Sequence, residues 1–254
     1  MIFYQDCIMF KKLIIAVAMV YAMPAVSGPV INVGSLNEYM QSGKNTLAKR
    51  IHNTGDATAY VRINIHEMVF DAQGQAVEKN LDATALVNGQ GTGLISTPPR
   101  LIIPAGGMQT NRLVFTGSRE KEKYYRVRYI PVVPESTKEF GISGADAKKY
   151  QDQINAGVTV MSGYGTIVTV QPDNVRFDTR ISGSGNQLSV TNHGNASVVI
   201  DGLKSCDRSL THCDNAVIVQ LRPGKTLQRT ATPDRVWQYT LIEGDRKKNL
   251  SSSK

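Results

Sequence analysis

Four histidines, three cysteines and several glycine clusters are the residues of this chain whose types could do chemistry. His52, His66, His193 and His212 are not paired at metal or triad spacing. His66-Glu67 lacks the second histidine of a zinc-hydrolase helix and falls in a predicted strand. His193 lies in the turn Asn192-His193-Gly194-Asn195, where such residues tolerate unusual backbone angles, so it reads as structural. Gly89-Gln90-Gly91-Thr92-Gly93 has no following helix to offer amides to a phosphate, and no Gly-Lys-Ser/Thr accompanies it. Gly163-Tyr164-Gly165 reads as a bulge within a strand. Asn195-Ala196-Ser197 matches a glycosylation acceptor, but a turn explains it equally well. No Gly-x-Ser-x-Gly elbow occurs, and the case for an enzyme is weak.

Cysteine chemistry is more informative. Cys206 and Cys213 are close in sequence and joined by a polar loop, the pattern of one disulfide in an oxidising compartment. A metal site drawing in His212 and Asp214 is the alternative, less expected because zinc sites bring their ligands as two close pairs. The third cysteine, Cys7, falls in a segment that reads as a secretory signal peptide over residues 1–27. Lys11 and Lys12 precede the apolar run Leu13 to Val20, and Ala25-Val26-Ser27 supplies small residues for cleavage. Met9 is an alternative start. The formal charge of +8 becomes about +7 without that segment. No aromatic-interleaved basic stripe accompanies this surplus, which argues against a nucleic-acid partner, and the apolar run is too short to remain as a membrane span.

Strands must carry whatever these residues do. With 41% hydrophobic and 20% charged residues the chain is globular, and short Val/Ile/Thr runs between polar turns make it all-β. Strands are expected at Val30–Val33, Thr46–Asn53, Tyr60–Ile65, Leu101–Ile103 between prolines, Met108–Phe115 and Lys123–Pro131. After a polar connection over 132–153 comes the long stretch Ile154 to Pro172. Ile154, Ala156, Val158 and Val160 alternate on one face, as a strand with period 2 requires. The β-rich run resumes at Thr166–Val170. One strand of that length exceeds a single sandwich edge, so its second half is assigned to the chain's own sheet and its first half to a partner. After Pro172 six shorter strands with turns between them give a second sandwich. The expected division is 28–172, 173–245 and a fraying basic tail, 246–254. No helix with recognisable caps and no internal repeat is expected.

Several of these blocks together resemble the periplasmic pilus-assembly (fimbrial) chaperones, and more closely their alternate branch serving alpha-type and common-pilus fimbriae. The matching pieces are Thr97 to Gly107 (TPPRLIIPAGG), Glu122 to Val127 (EKYYRV), Gly165 to Val168 leading to Pro172, Val190 to Ala196 (VTNHGNA), and the late cysteine pair. The likeness spans nearly the whole mature chain and rests on order and spacing. It implies two immunoglobulin-like β-sandwich domains at an angle, a periplasmic location, and neither catalysis nor cofactor. The implied partners are fimbrial subunits and an outer-membrane usher. Subunits of that kind lack a strand, and the chaperone lends one, with alternate side chains filling apolar pockets. Here those side chains are Ile154, Ala156, Val158 and Val160, each larger one contributing about 1.5–3 kcal/mol before ordering costs. The connection Val132–Gln153 is then expected to be mobile in the free protein. The better-known branch anchors the subunit's terminal carboxylate with an Arg in the first strand and a Lys in the last. Here those places hold Asn37 or Glu38 and Ile167, and no basic residue occurs between Gln151 and Gln171. A structural or adhesive two-domain sandwich, such as a pilus subunit, is the alternative.

Overall fold

The computed structural model describes residues 28–135, 137–155 and 159–252. The expected signal peptide lies outside the described residues. The strands of the first half are β1 (Ile31–Asn32), β2 (Asn37–Met40), β3 (Thr46–Asn53), β4 (Ala59–Phe70) and β5 (Ala76–Asn80), followed by the short helix α1 (Ala83–Val87). Then come β6 (Gly93–Thr97), β7 (Arg100–Ile103), β8 (Met108–Thr116) and β9 (Lys123–Pro131). Helices α2 (Thr137–Phe140) and α3 (Gly144–Asn155) precede β10 (Tyr164–Val170). One sheet runs β1-β3-β8-β6 and the other β2-β10-β9-β4-β5, with β7 pairing β4 at its margin. That marginal place suits a strand flanked by Pro99 and Pro104, which cannot donate to a ladder.

Alternation writes the core. In β9, Tyr125, Val127 and Tyr129 are wholly buried while Arg126, Arg128 and Ile130 face away. Val61, Leu113, Val168 and Val170 meet them between the two sheets.

The second half holds β11 (Thr179–Ser182), β12 (Gln187–Asn192), β13 (Val198–Asp207), β14 (Val217–Leu221), β15 (Thr226–Thr230), β16 (Arg235–Glu243) and β17 (Arg246–Ser251). They form sheets β11-β12-β15 and β14-β13-β16-β17 around Val190, Val198, Ile200 and Leu203. The expected fraying tail is thus corrected: β17 pairs with β16 from Glu243↔Arg246 to Gln238↔Ser251. Its lysines mark it as a solvent-facing edge, which a composition-based reading mistakes for disorder. Among the described residues no helix is long and apolar enough to cross a membrane.

A repeat invisible to simple inspection joins the halves. Asn53-Thr54-Gly55-Asp56-Ala57 and Asn192-His193-Gly194-Asn195-Ala196 make the same turn. Each buried Asn donates its amide to the Ala carbonyl, at 2.7 and 2.9 Å, and accepts from the Gly amide, at 3.1 and 2.9 Å. Both glycines are required, since a Cβ would lie 2.1 Å from Gly28 O in the first turn and 2.4 Å from Arg176 O in the second.

The two sandwiches meet at a small polar contact. The Glu122 carboxylate accepts from Ser197 N (2.7 Å), Ser197 Oγ (2.5 Å) and Tyr124 OH (2.5 Å). Arg222 stacks 3.3 Å over the Phe70 ring, and the Tyr39 hydroxyl donates to Gln220. Burial raises the Glu122 pKa, and the hydrogen bonds from Ser197 and Tyr124 only partly offset it.

Candidate functional site: an open strand edge beside two arginines

β10 is bonded unequally on its two sides. It pairs with β9 along its whole length, from Tyr164↔Tyr129 to Val170↔Lys123. It pairs with β2, in parallel, only from Ile167 to Val170. On the β2 side, Tyr164 to Thr166 therefore has no strand partner among the described residues. The register with β9 is unbroken, so the expected bulge at Gly163-Tyr164-Gly165 is corrected. Gly163 instead lets the chain approach β9, a Cβ there lying 3.2 Å from Tyr129 O.

The expected donor residues separate. Val160 stands 73% exposed just before β10. Ala156 and Val158 lie outside the described residues. Ile154 is not on a strand: it belongs to α3, is buried, and packs with Tyr60 and Tyr150. The polar connection over 132–153 is corrected as well, since it contains two helices. Ser143 caps α3, accepting from Asp146 N at 3.1 Å and donating to Asp146 Oδ2 at 2.6 Å. Ala147, Tyr150 and Ile154 form its buried stripe at helical spacing. The signal was Ser-x-x-Asp followed by that spacing, masked by the even-numbered alternation that begins at Ile154.

The outer face of the β10 sheet carries the charge. Gly165 lies opposite Arg128 and Ile167 opposite Arg126; across β9, these face Asn64 and His66 of β4. Arg128 donates to Glu78 in a fork at 2.7 and 2.8 Å, and Arg126 Nε lies 2.8 Å from the same carboxylate. His66 Nδ1 is 4.0 Å from it. The hydrogen bond from Arg128 holds the Glu78 pKa below the usual carboxylate range. Two guanidiniums thus share one acid, leaving a local positive surplus next to the open edge. Gly165 adds no side chain over them.

Sequence reasoning missed this pair because it sought a base within the first and last strands. The alternation Arg126-Val127-Arg128 was the available signal. At the first-strand place, Glu38 is matched by buried Lys49, whose Nζ lies 2.9 Å from Glu38 Oε1 and 2.6 Å from Ser35 O. That lysine is fully engaged by its own domain.

Cys206 and Cys213 are joined, with an S–S distance of 2.03 Å and Cα atoms 4.0 Å apart. Bonded sulfurs leave no thiolate for a metal, and His212 Nδ1 faces Asp207 Oδ2 at 3.1 Å. No group of His, Cys, Asp and Glu with metal-holding geometry occurs among the described residues.

No protein-family model matches the chain. A probable fimbrial chaperone EcpB of Escherichia coli O1:K1 is 26% identical over 222 residues, covering 85% of this chain and 89% of the relative. The class 5 fimbriae chaperone CfaA shares the fold with a TM-score of 0.52 at 19% identity, over 88% of this chain and 99% of its own. The E. coli chaperone DraB does so with a TM-score of 0.51 at 11% identity, over 88% and 98%. Sequence likeness over most of the length, together with two β-sandwiches of the shared architecture, makes this chain similar to the fimbrial chaperones.

Proposed function

We propose that this protein is a periplasmic chaperone that captures fimbrial subunits by completing their unfinished sandwich with the segment leading into β10. The carrying observation is the half-paired strand: Tyr164 to Thr166 is open on one side and continues back to exposed Val160. In an extended chain, Val160 has the same parity as Val168 and Val170, which fill the protein's own core. One strand would then point apolar side chains into two cores, its own and the subunit's. Ala156 and Val158 belong to the same series, and Ile154 would join it on extension. The relatives are chaperones along most of this chain, which does not favour the reading as a pilus subunit.

The subunit's terminal carboxylate would be held by Arg126 and Arg128. Replacing Glu78 as their partner, or sharing them with it, gives that carboxylate a bidentate, charge-assisted site one strand from the open edge. The work is binding, without a catalytic step or a cofactor. The two sandwiches would act as domains of residues 28–172 and 173–252, with subunit and usher contacts on their surfaces.

The test is co-purification with a fimbrial subunit from periplasm. Val160→Asp should leave a folded protein that brings down no subunit, and Arg126→Ala/Arg128→Ala should reduce the yield severely. Wild-type recovery from both variants would defeat the reading.

A further inference from the structure

Resting on that reading, we infer that α3 is a lock on the donor segment: the free protein stores Ile154 in a helix, and subunit capture requires that helix to unpack. A residue cannot serve in both places. Helical chain advances 1.5 Å per residue and strand about 3.3 Å, so extending Ile154 toward a partner dissolves the last turns of α3.

The helix is held by contacts that a partner could outcompete. Twelve residues are too few for a stable isolated helix in water. Its stability comes from Tyr60, whose ring meets Tyr150 edge-on at 4.9 Å and Phe140 at 5.2 Å. The Tyr150 hydroxyl donates to Thr58 O at 2.8 Å, and Glu139 of α2 accepts from Arg62 at 2.7 and 2.9 Å. The location matters as much as the strength. Tyr60 and Arg62 have the same parity on β4 as Asn64 and His66, so α2 and α3 cover one end of the very face that carries Arg126 and Arg128. The lock therefore both withholds a donor side chain and occupies part of the surface on which a subunit would lie.

Such a device lowers apparent affinity by the fraction of molecules with α3 released. The experiment uses the full mature protein with Lys149→Pro, which breaks α3 at an exposed position without touching the Tyr60 cluster, and Lys149→Ala as control. Tyr150→Ala is a second release variant that keeps the helix sequence free of proline. The probe is a purified fimbrial subunit lacking its own N-terminal donor segment, refolded from urea in the presence of each chaperone. Expected are capture by both release variants on the order of tenfold faster or tighter than wild type, an unchanged Lys149→Ala, and amides 147–155 losing protection in the wild-type complex. Capture at the wild-type rate by both release variants, or α3 amides still protected in the complex, overturns the lock while leaving the chaperone reading intact. Failure of every form to capture the subunit overturns both.

Discussion

The two sides of Gly163 differ in what holds them. From Tyr164 onward the chain is a strand bonded to β9 throughout and to β2 over its last four residues, with Val168 and Val170 buried in the core. Before it, α3 is fastened by one aromatic cluster, a cap and the hydrogen bond from the Tyr150 hydroxyl to Thr58 O, and Val160 is exposed. The first part is inseparable from the fold. The second is only attached to it, as the proposed donor segment would have to be.

The sharpest way to break that contrast is to place the same charge on either side. Val168→Asp should cost about 4 kcal/mol or more, because an unpaired carboxylate enters a closed apolar core. Val160→Asp should change stability by about 0.5 kcal/mol or less. Urea denaturation measures both, and similar losses would show that the exposed segment is structurally committed after all.

A smaller effect sharpens the contrast within α3. Ile154→Ala removes a side chain whose loss in a rigid core costs about 2–5 kcal/mol. Here the loss should be confined to α3, seen as faster hydrogen exchange of its amides with those of β10 unmoved. A matching drop in global stability would mean that α3 is part of the core.

The smallest expected effects are in pH dependence, and the two key carboxylates should act oppositely. Glu78 has a lowered pKa, so the folded state holds fewer protons than the unfolded one as the acid range is entered. Its contribution beside β10 is complete above the ordinary glutamate value and is lost as pH falls through the lowered one. Glu122, between the sandwiches, has a raised pKa, so the folded state holds more protons just above the ordinary value. Stability from that group declines as pH rises through this window. Urea midpoints of Glu78→Gln and Glu122→Gln across the acid range should flatten opposite slopes; slopes of one sign would contradict the assigned environments.

Much of this molecule was legible from residue order. β3 and β9 stand where alternation and turns placed them, because a strand with one buried face writes period 2 into its sequence. The cysteine pair was legible because its two members lie only 7 residues apart. α3 was not, since its three-residue apolar stripe overlaps an alternating run, and at Ile154 the two patterns share a residue. Arg126 and Arg128 were readable as outward-facing but not as a site.

Residue order carried the all-β class, the two sandwiches, the closeness of the two cysteines and the surplus of apolar residues ahead of Tyr164. Folding in three dimensions leaves Tyr164 to Thr166 without a strand partner on the β2 side among the described residues, shares one glutamate between two arginines, joins the cysteines and rests Ile154 in a helix. Periodicity reports which face of an element is buried. It cannot report which other elements come to lie against that face, and here those neighbours set both the charge of the site and the state of the segment beside it.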